Sequence, residues 1–313
     1  MQLTFLGTSA GVPTRERNVS AVALHFPERA QTWLFDCGEG TQHQLLRSHL
    51  KISQIRRVLI THMHGDHVFG LPGLLATGQL AGGGGKISIY GPAGLAEYLR
   101  ASREHPHEQN PSTVEVHTVN TGTILETDEF VVSARPLRHR IPAFGYRVTE
   151  RDRPGRFRVE KAVVLGIPAG PLYGRLKRGE RVTLPDRREI DPGELCEPAE
   201  PGRVVVYCTD TTYCEEAVEL ARDADVLIHE ATFAESDAEL ARRSTHSTAT
   251  MAARVARDAQ AKLLVLTHLS PRYARGNPVE PDDLLREARA VFPNTELAHD
   301  FLSLEVPRRS AAM

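Results

Sequence analysis

The sequence predicts a single α/β layered domain over residues 1–313, on three observations: short apolar runs alternate with helical patterns, several runs end in residues able to do chemistry, and the length suffices to bury a large core. Strands are expected at 4–7, 32–36, 57–61, 86–90, 130–135, 204–207, 225–228 and 263–267, short apolar runs read as strands by their length and flanks. Helices are expected at 42–49, 70–79, 94–102, 214–222, 248–258 and 281–292, where the pattern turns helical. Ligand-type side chains follow the strands, which gathers them along one edge of a layered fold.

Bulk properties exclude several classes. The chain is 41% hydrophobic and 25% charged, with no run of membrane-spanning length. Its start has no basic segment leading into an apolar one, so no secretory signal is expected and a cytoplasmic protein is. Cys37, Cys196, Cys208 and Cys214 lack CxxC spacing and read as free thiols in a reducing compartment. No internal repeat supports a solenoid.

The net charge of −2 conceals a strong asymmetry. Residues 135–188 hold fifteen Lys/Arg against five Asp/Glu, on a body that is otherwise acidic. A basic island of this kind suits either a polyanionic partner or a solvated loop. Most of it lies in a Gly-, Pro- and Arg-rich stretch from 147 to about 201 with little periodicity, which reads as an inserted, extended arm centred on 150–185.

Chemistry concentrates in His62-x-His64-x-Asp66-His67, four metal-ligand side chains within six residues at a strand exit. A dinuclear centre needs about seven ligands. His139, Asp210 and His268 are the natural remainder, because each follows an apolar run that can end beside the others. Two divalent metals suit phosphodiester hydrolysis, since they acidify water and neutralise charge on attacking and leaving oxygens. A departing alkoxide needs a proton donor, for which His246 is the candidate, oriented by Glu230. His25, His43, His49, His105, His107, His117 and His299 lack such context and read as surface or helix-face residues.

These residues resemble a known family. His62-x-His64-x-Asp66-His67 is the HxHxDH motif of the metallo-β-lactamase superfamily, and the flanking motifs are similar to those of its ribonuclease Z (short-form tRNase Z) family. The matching segments are Asp36-Cys-Gly-Glu-Gly-Thr-Gln42, His229-Glu-Ala-Thr232, His246-Ser-Thr248, Leu266-Thr-His-Leu-Ser-Pro-Arg-Tyr273 and Pro13-Thr-Arg-Glu-Arg-Asn18. The resemblance implies a four-layer αββα sandwich with an inserted flexible arm, and a zinc phosphodiesterase that removes the 3′ trailer from precursor tRNA. It further implies two zinc ions, with manganese a possible substitute: one on His62, His64 and His139, the other on Asp66, His67 and His268, and Asp210 bridging them. Asp66 would also accept a proton, and His246 with Glu230 would serve the departing oxygen. Arg15, Arg17 and Asn18 would bind phosphates or bases. The arm would clamp the tRNA elbow through Gly170-Pro171-Leu172-Tyr173-Gly174, within a homodimer whose arms serve each other's sites. Two positions depart from the family pattern: Arg15 stands for lysine, and Thr209 for the glycine before Asp210.

Gly7-Thr-Ser-Ala-Gly11 fits the nucleophile-elbow pattern, but only six residues precede it and a loop follows, so it is set aside. Gly82–Gly85 with Lys86 fails the phosphate-loop pattern and reads as a glycine turn. Two other readings stay open at this point: a phosphodiesterase of the same fold acting on small substrates, and a tRNA-binding module with an inactive metal centre.

Overall fold

The computed structural model describes residues 1–80, 85–102, 114–153 and 155–308; the expected glycine turn at 82–84 and His105 and His107 lie outside them. The strands are β1 (Gln2–Gly7), β2 (Ala21–Phe26), β3 (Gln31–Phe35), β4 (Ile55–Leu59), β5 (Ile87–Gly91), β6 (Val114–Thr118), β7 (Gly122–Glu126), β8 (Phe130–Leu137) and β9 (Ala143–Glu150). They continue as β10 (Val182–Thr183), β11 (Glu189–Ile190), β12 (Val204–Cys208), β13 (Val226–Glu230), β14 (Leu264–Thr267), β15 (Thr295–Leu297) and β16 (Ser303–Glu305). Every expected strand is present to within about two residues. Eight strands were not expected from the sequence and emerge only here: β2, β6, β7, β9, β10, β11, β15 and β16.

Two seven-stranded sheets face each other, ordered β16-β1-β2-β3-β4-β5-β6 and β7-β8-β9-β12-β13-β14-β15. Between them lies a dry layer that includes Phe5, Trp33, Phe35, Tyr146, Tyr207, Ile228 and Val265. Alternate residues of the same strands point outward: Leu34 and Val58 from one sheet, Val206, Leu227 and Leu266 from the other. Burial on both faces explains why the central strands read as unbroken apolar runs.

The outer layers are helical. Helices α1 (Thr41–Arg47), α2 (Gly65–Val68), α3 (Leu71–Leu80) and α4 (Leu95–Ser102) belong to the first half, and α5 (Val159–Val164), α6 (Pro171–Lys177) and α7 (Pro192–Leu195) to the insertion. The second half carries α8 (Glu215–Ala221), α9 (Ala238–Ser244), α10 (Ala249–Asp258) and α11 (Pro281–Val291). Thr248 caps α10, its hydroxyl accepting from the Met251 N–H at 3.1 Å. Helix, sheet, sheet, helix is the four-layer arrangement expected. No helix among the described residues is long and apolar enough to cross a membrane.

The insertion differs from the extended arm read from its composition. Between β9 and β12 it forms α5, the β10–β11 hairpin, α6 and α7 around a small core of Phe157, Ala162, Ile167, Leu176, Ile190 and Leu195, among others. Its apolar residues sit on elements of two to seven residues, too short to show a period, or, like Phe157 and Ile167, on the segments between them, yet they converge in space.

A candidate metal centre at the facing sheet edges

Ligand placement begins with strand ends. Beyond β4 the Thr61 N–H and hydroxyl both donate to Asp36 Oδ1, at 2.8 and 3.0 Å, which fixes where His62 leaves the sheet. The chain then turns into α2, whose first turn carries Asp66 and His67. Gly38 in the loop after β3 lies against α2: a Cβ there would stand 2.3 Å from the Asp66 carbonyl oxygen, so glycine is needed for the approach. In the second sheet, Asp210 follows β12 and His268 follows β14, both in left-handed backbone (φ 54° and 58°). Asp and His are among the few residues enriched there.

All seven expected ligands converge. Ligand atoms of His62, His64, His139 and Asp210 lie within 4.8 Å of one another, as do those of Asp66, His67 and His268. Asp210 divides its oxygens between the groups. Oδ2 lies 3.4 Å from His62 Nε2 and 3.8 Å from His139 Nε2, while Oδ1 lies 3.3 Å from His67 Nε2 and 3.2 Å from His268 Nε2. Asp66 Oδ2 lies 3.3 and 3.4 Å from His67 and His268 Nε2 and accepts from the Gly11 N–H at 2.8 Å.

Outer partners fix which ring nitrogen carries the proton. Asp36 Oδ2 takes the His67 Nδ1 proton at 2.8 Å, and the Thr245 carbonyl takes that of His139 at 3.1 Å. Thr61 donates to Asp36 and so is left to accept from His62 Nδ1, 3.0 Å away. Thr232 donates to Glu230 at 2.5 Å and accepts from His268 Nδ1 at 2.9 Å in the same way. Each relay leaves Nε2 as a lone pair aimed inward, the tautomer a metal ligand needs.

The residues present fit divalent cations. His67 Nε2 is buried without a hydrogen-bond partner. Ring nitrogens of His62 and His139 approach His64 Nδ1 to 3.0 and 3.2 Å, and one proton on His64 cannot serve both. Five imidazoles and two carboxylates form a donor set for zinc-like ions.

Electrostatics agree. Burial pushes the His139 pKa down to about 4 against the pull of Asp210, which keeps the ring neutral. Burial opposes ionisation of Asp210, but positive charge at the rings of His268, His67 and His62, which a bound cation would supply where their Nε2 atoms are unprotonated, outweighs it and holds the carboxyl well below its ordinary range. His246 follows the opposite course. Burial would lower its pKa, yet Glu230 Oε1 at 2.9 Å from Nδ1 raises it to about 9, so the ring is an imidazolium near neutral pH. Its ring centre is 5.1 Å from that of His139 and 5.6 Å from that of His268.

The remaining expected residues are not gathered at the cluster. Arg15 is exposed and lines a cavity of about 320 Å³ bordered also by Leu269 and Arg275. Arg17 Nη1 donates to Thr8 Oγ1 and to the Ala298 carbonyl, each at 2.7 Å, and Asn18 Nδ2 donates to the Glu39 carbonyl at 2.8 Å. Both therefore hold the loop. Gly170 is the N-cap of α6 in the insertion, Pro171 its first residue and Gly174 its fourth. Thr209, where the family has glycine, donates its hydroxyl to Asp210 Oδ1 at 3.0 Å. Sequence reasoning gave no role to Asp36, Thr61, Thr232 or Tyr207, whose hydroxyl donates to Asp36 Oδ2 at 3.1 Å. The signals were that Asp36 follows a strand and that Asp36–Gln42 and His229–Thr232 resemble family motifs, without saying what Asp36 or Thr232 does.

An αββα sandwich with a buried His/Asp cluster between its sheet edges defines a metal-dependent hydrolase of the metallo-β-lactamase class. Residues 195–269 match the model of the Beta-lactamase superfamily domain, and residues 1–145 that of the Anti-Pycsar protein Apyc1. The chain is 62% identical to Ribonuclease Z of Acaryochloris marina over 310 residues, 99% of each chain. It is 62% identical to Ribonuclease Z of Crocosphaera subtropica over 311 residues, 99% of this chain and 100% of the other. Among solved structures, human tRNase Z, short form, superposes with a TM-score of 0.68 at 32% identity, covering 98% of this chain and 100% of that one. The chain belongs to the ribonuclease Z family, a family of endoribonucleases.

Proposed function

We propose that this protein is the endoribonuclease that removes the 3′ trailer from precursor tRNA, using two zinc ions, as a homodimer in the cytoplasm. The observation that carries this reading is identity to ribonuclease Z relatives over nearly the whole chain, insertion included. His62, His64 and His139 would hold one ion, Asp66, His67 and His268 the other, with Asp210 shared; manganese suits the same donors. When bound, the pair supplies an acidified water and charge neutralisation at the scissile phosphate.

The chain's own groups do the rest. Asp66, held by the Gly11 N–H, is positioned to accept a proton from the attacking water. His246, kept protonated by Glu230, is positioned to donate a proton to the departing oxygen, leaving a 3′-hydroxyl on the tRNA. Arg15, exposed on the wall of the cavity that Leu269 and Arg275 also line, would supply charge for a phosphate.

The insertion suits contact with the tRNA elbow. It joins the sheet at the end of β9 and the start of β12, whereas Asp210 follows the opposite end of β12. Five strand residues span roughly 17 Å, so a substrate touching both regions must be long. Replacing residues 155–198 by a short linker tests this. Cleavage of precursor tRNA should fall by orders of magnitude while cleavage of a small chromogenic phosphodiester persists; unchanged tRNA cleavage would refute the role of the insertion.

A further inference from the structure

A buried carboxylate stands where the insertion meets the sandwich. Glu150, the last residue of β9, is 3% exposed. Arg203, just before β12, grips it as a fork, Nε donating to Oε2 at 2.7 Å and Nη2 to Oε1 at 3.0 Å. Arg153, on the outgoing stalk, donates to the same Oε1 at 3.0 Å and to Glu28 Oε2 at 3.2 Å. Arg308 lies 3.7 Å from Glu150 Oε1 and 3.8 Å from Glu200 Oε2 on the returning stalk.

The backbone is clamped at the same place. Arg153 and Glu200 exchange two N–H···O bonds of 2.9 Å, which pairs the stalks. A Cβ on Gly202 would stand 1.7 Å from the Glu150 carbonyl oxygen, so the stalks run in direct contact. The Val306 carbonyl accepts from Arg203 Nη1 at 3.5 Å, and the Val306 N–H donates to the Met1 carbonyl at 3.0 Å. One carboxylate thus draws together β9, both stalks and both ends of the described chain.

A body joined to a sheet by two bare strands would pivot about them. The Arg203 fork and the single Arg153 bond on a buried carboxylate resist this, because turning the stalk exposes charge that has no other partner of equal geometry. The geometry points to Glu150 as a positioning residue that sets the direction of the insertion, so that tRNA meets a preset surface. This rests on the reading of the insertion as a tRNA contact. A preset surface lowers the ordering cost of binding, so losing it acts on KM for precursor tRNA and leaves kcat alone.

The test uses metal-loaded, full-length protein carrying Glu150→Gln, and separately the pair Arg153→Ala with Arg308→Ala, whose side chains are 33% and 29% exposed and tolerate truncation better. Amide exchange across residues 151–203 should accelerate in both, and KM for precursor tRNA should rise about tenfold, the scale of ordering a few side chains. Turnover at saturation and cleavage of the small phosphodiester should not change, and Arg153→Lys in place of Arg153→Ala should restore part of the loss. A parallel fall on both substrates, or faster exchange with unaltered KM, overturns the proposal. If replacing 155–198 raises KM and Glu150→Gln does not, the positioning role alone fails. If replacing 155–198 leaves KM unaltered, the tRNA contact itself fails.

Discussion

The two sheets share one plan and use it differently. In each, three antiparallel pairings are followed by three parallel ones, and the fourth strand in order is β3 in one sheet and β12 in the other. Both strands lead to an aspartate in left-handed backbone, Asp36 (φ 57°) and Asp210 (φ 54°). The two flank one ring, Asp36 at His67 Nδ1 and Asp210 near Nε2. A left-handed aspartate after the fourth strand thus orients a ring in the first half and divides its oxygens between the two ligand groups in the second.

The orienting carboxylates repeat the comparison. Asp36 holds His67 directly and His62 through Thr61; Glu230 holds His246 directly and His268 through Thr232. Both rings held by Asp36 are fully buried, whereas the His246 side chain is 17% exposed. Against the effect of burial, carboxylate contact raises the ring's pKa in both halves, with Asp210 foremost and Asp36 and Asp66 beside it at His67. What separates the two rings is place: His67 is enclosed among the candidate ligands and His246 stands at the rim.

Substitutions can break this comparison. Asp210→Ala should have the largest effect, lowering cleavage of every substrate by about four orders of magnitude or more together with metal content, read by elemental analysis beside single-turnover rates. His246→Ala should lower the rate by about 10²–10⁴-fold with metal content intact; a matching loss of metal would make His246 a ligand and erase the asymmetry. Asp36→Asn should weaken metal affinity by about 10–100-fold, measured by competition with a chelator, whereas Glu230→Gln should cost more in rate than in affinity. Thr61→Val and Thr232→Val should have the smallest effects, about 1 kcal/mol each in metal binding. Unequal losses would show that the relays are not equivalent.

Much of the candidate centre was legible in the sequence because the His62–His67 cluster, His139, Asp210 and His268 each stand at or shortly beyond the end of an apolar run, and runs of that length become neighbouring strands. Glu230 was legible as the partner of His246 through proximity in the chain alone. Asp36 stood in a family-like segment, but its role was not legible, since it meets His67 only when α2 folds over the loop after β3. Thr61 and Thr232 act only by passing one hydrogen bond onward, which leaves no compositional trace. The shared plan of the sheets resides in pairing direction, and the two halves show no matching repeat in side chains.

Left-handed backbone at Asp210 and His268 bears on attempts to change the metal. A cysteine at 268 for a softer ion, or a longer glutamate at 210, must enter a conformation that costs most residues roughly 1 kcal/mol or more. Such a swap would shift the chain before it altered coordination. A metal preference set by these two positions would therefore be guarded by the main chain, and redesign would do better to begin at His64, which stands in extended backbone.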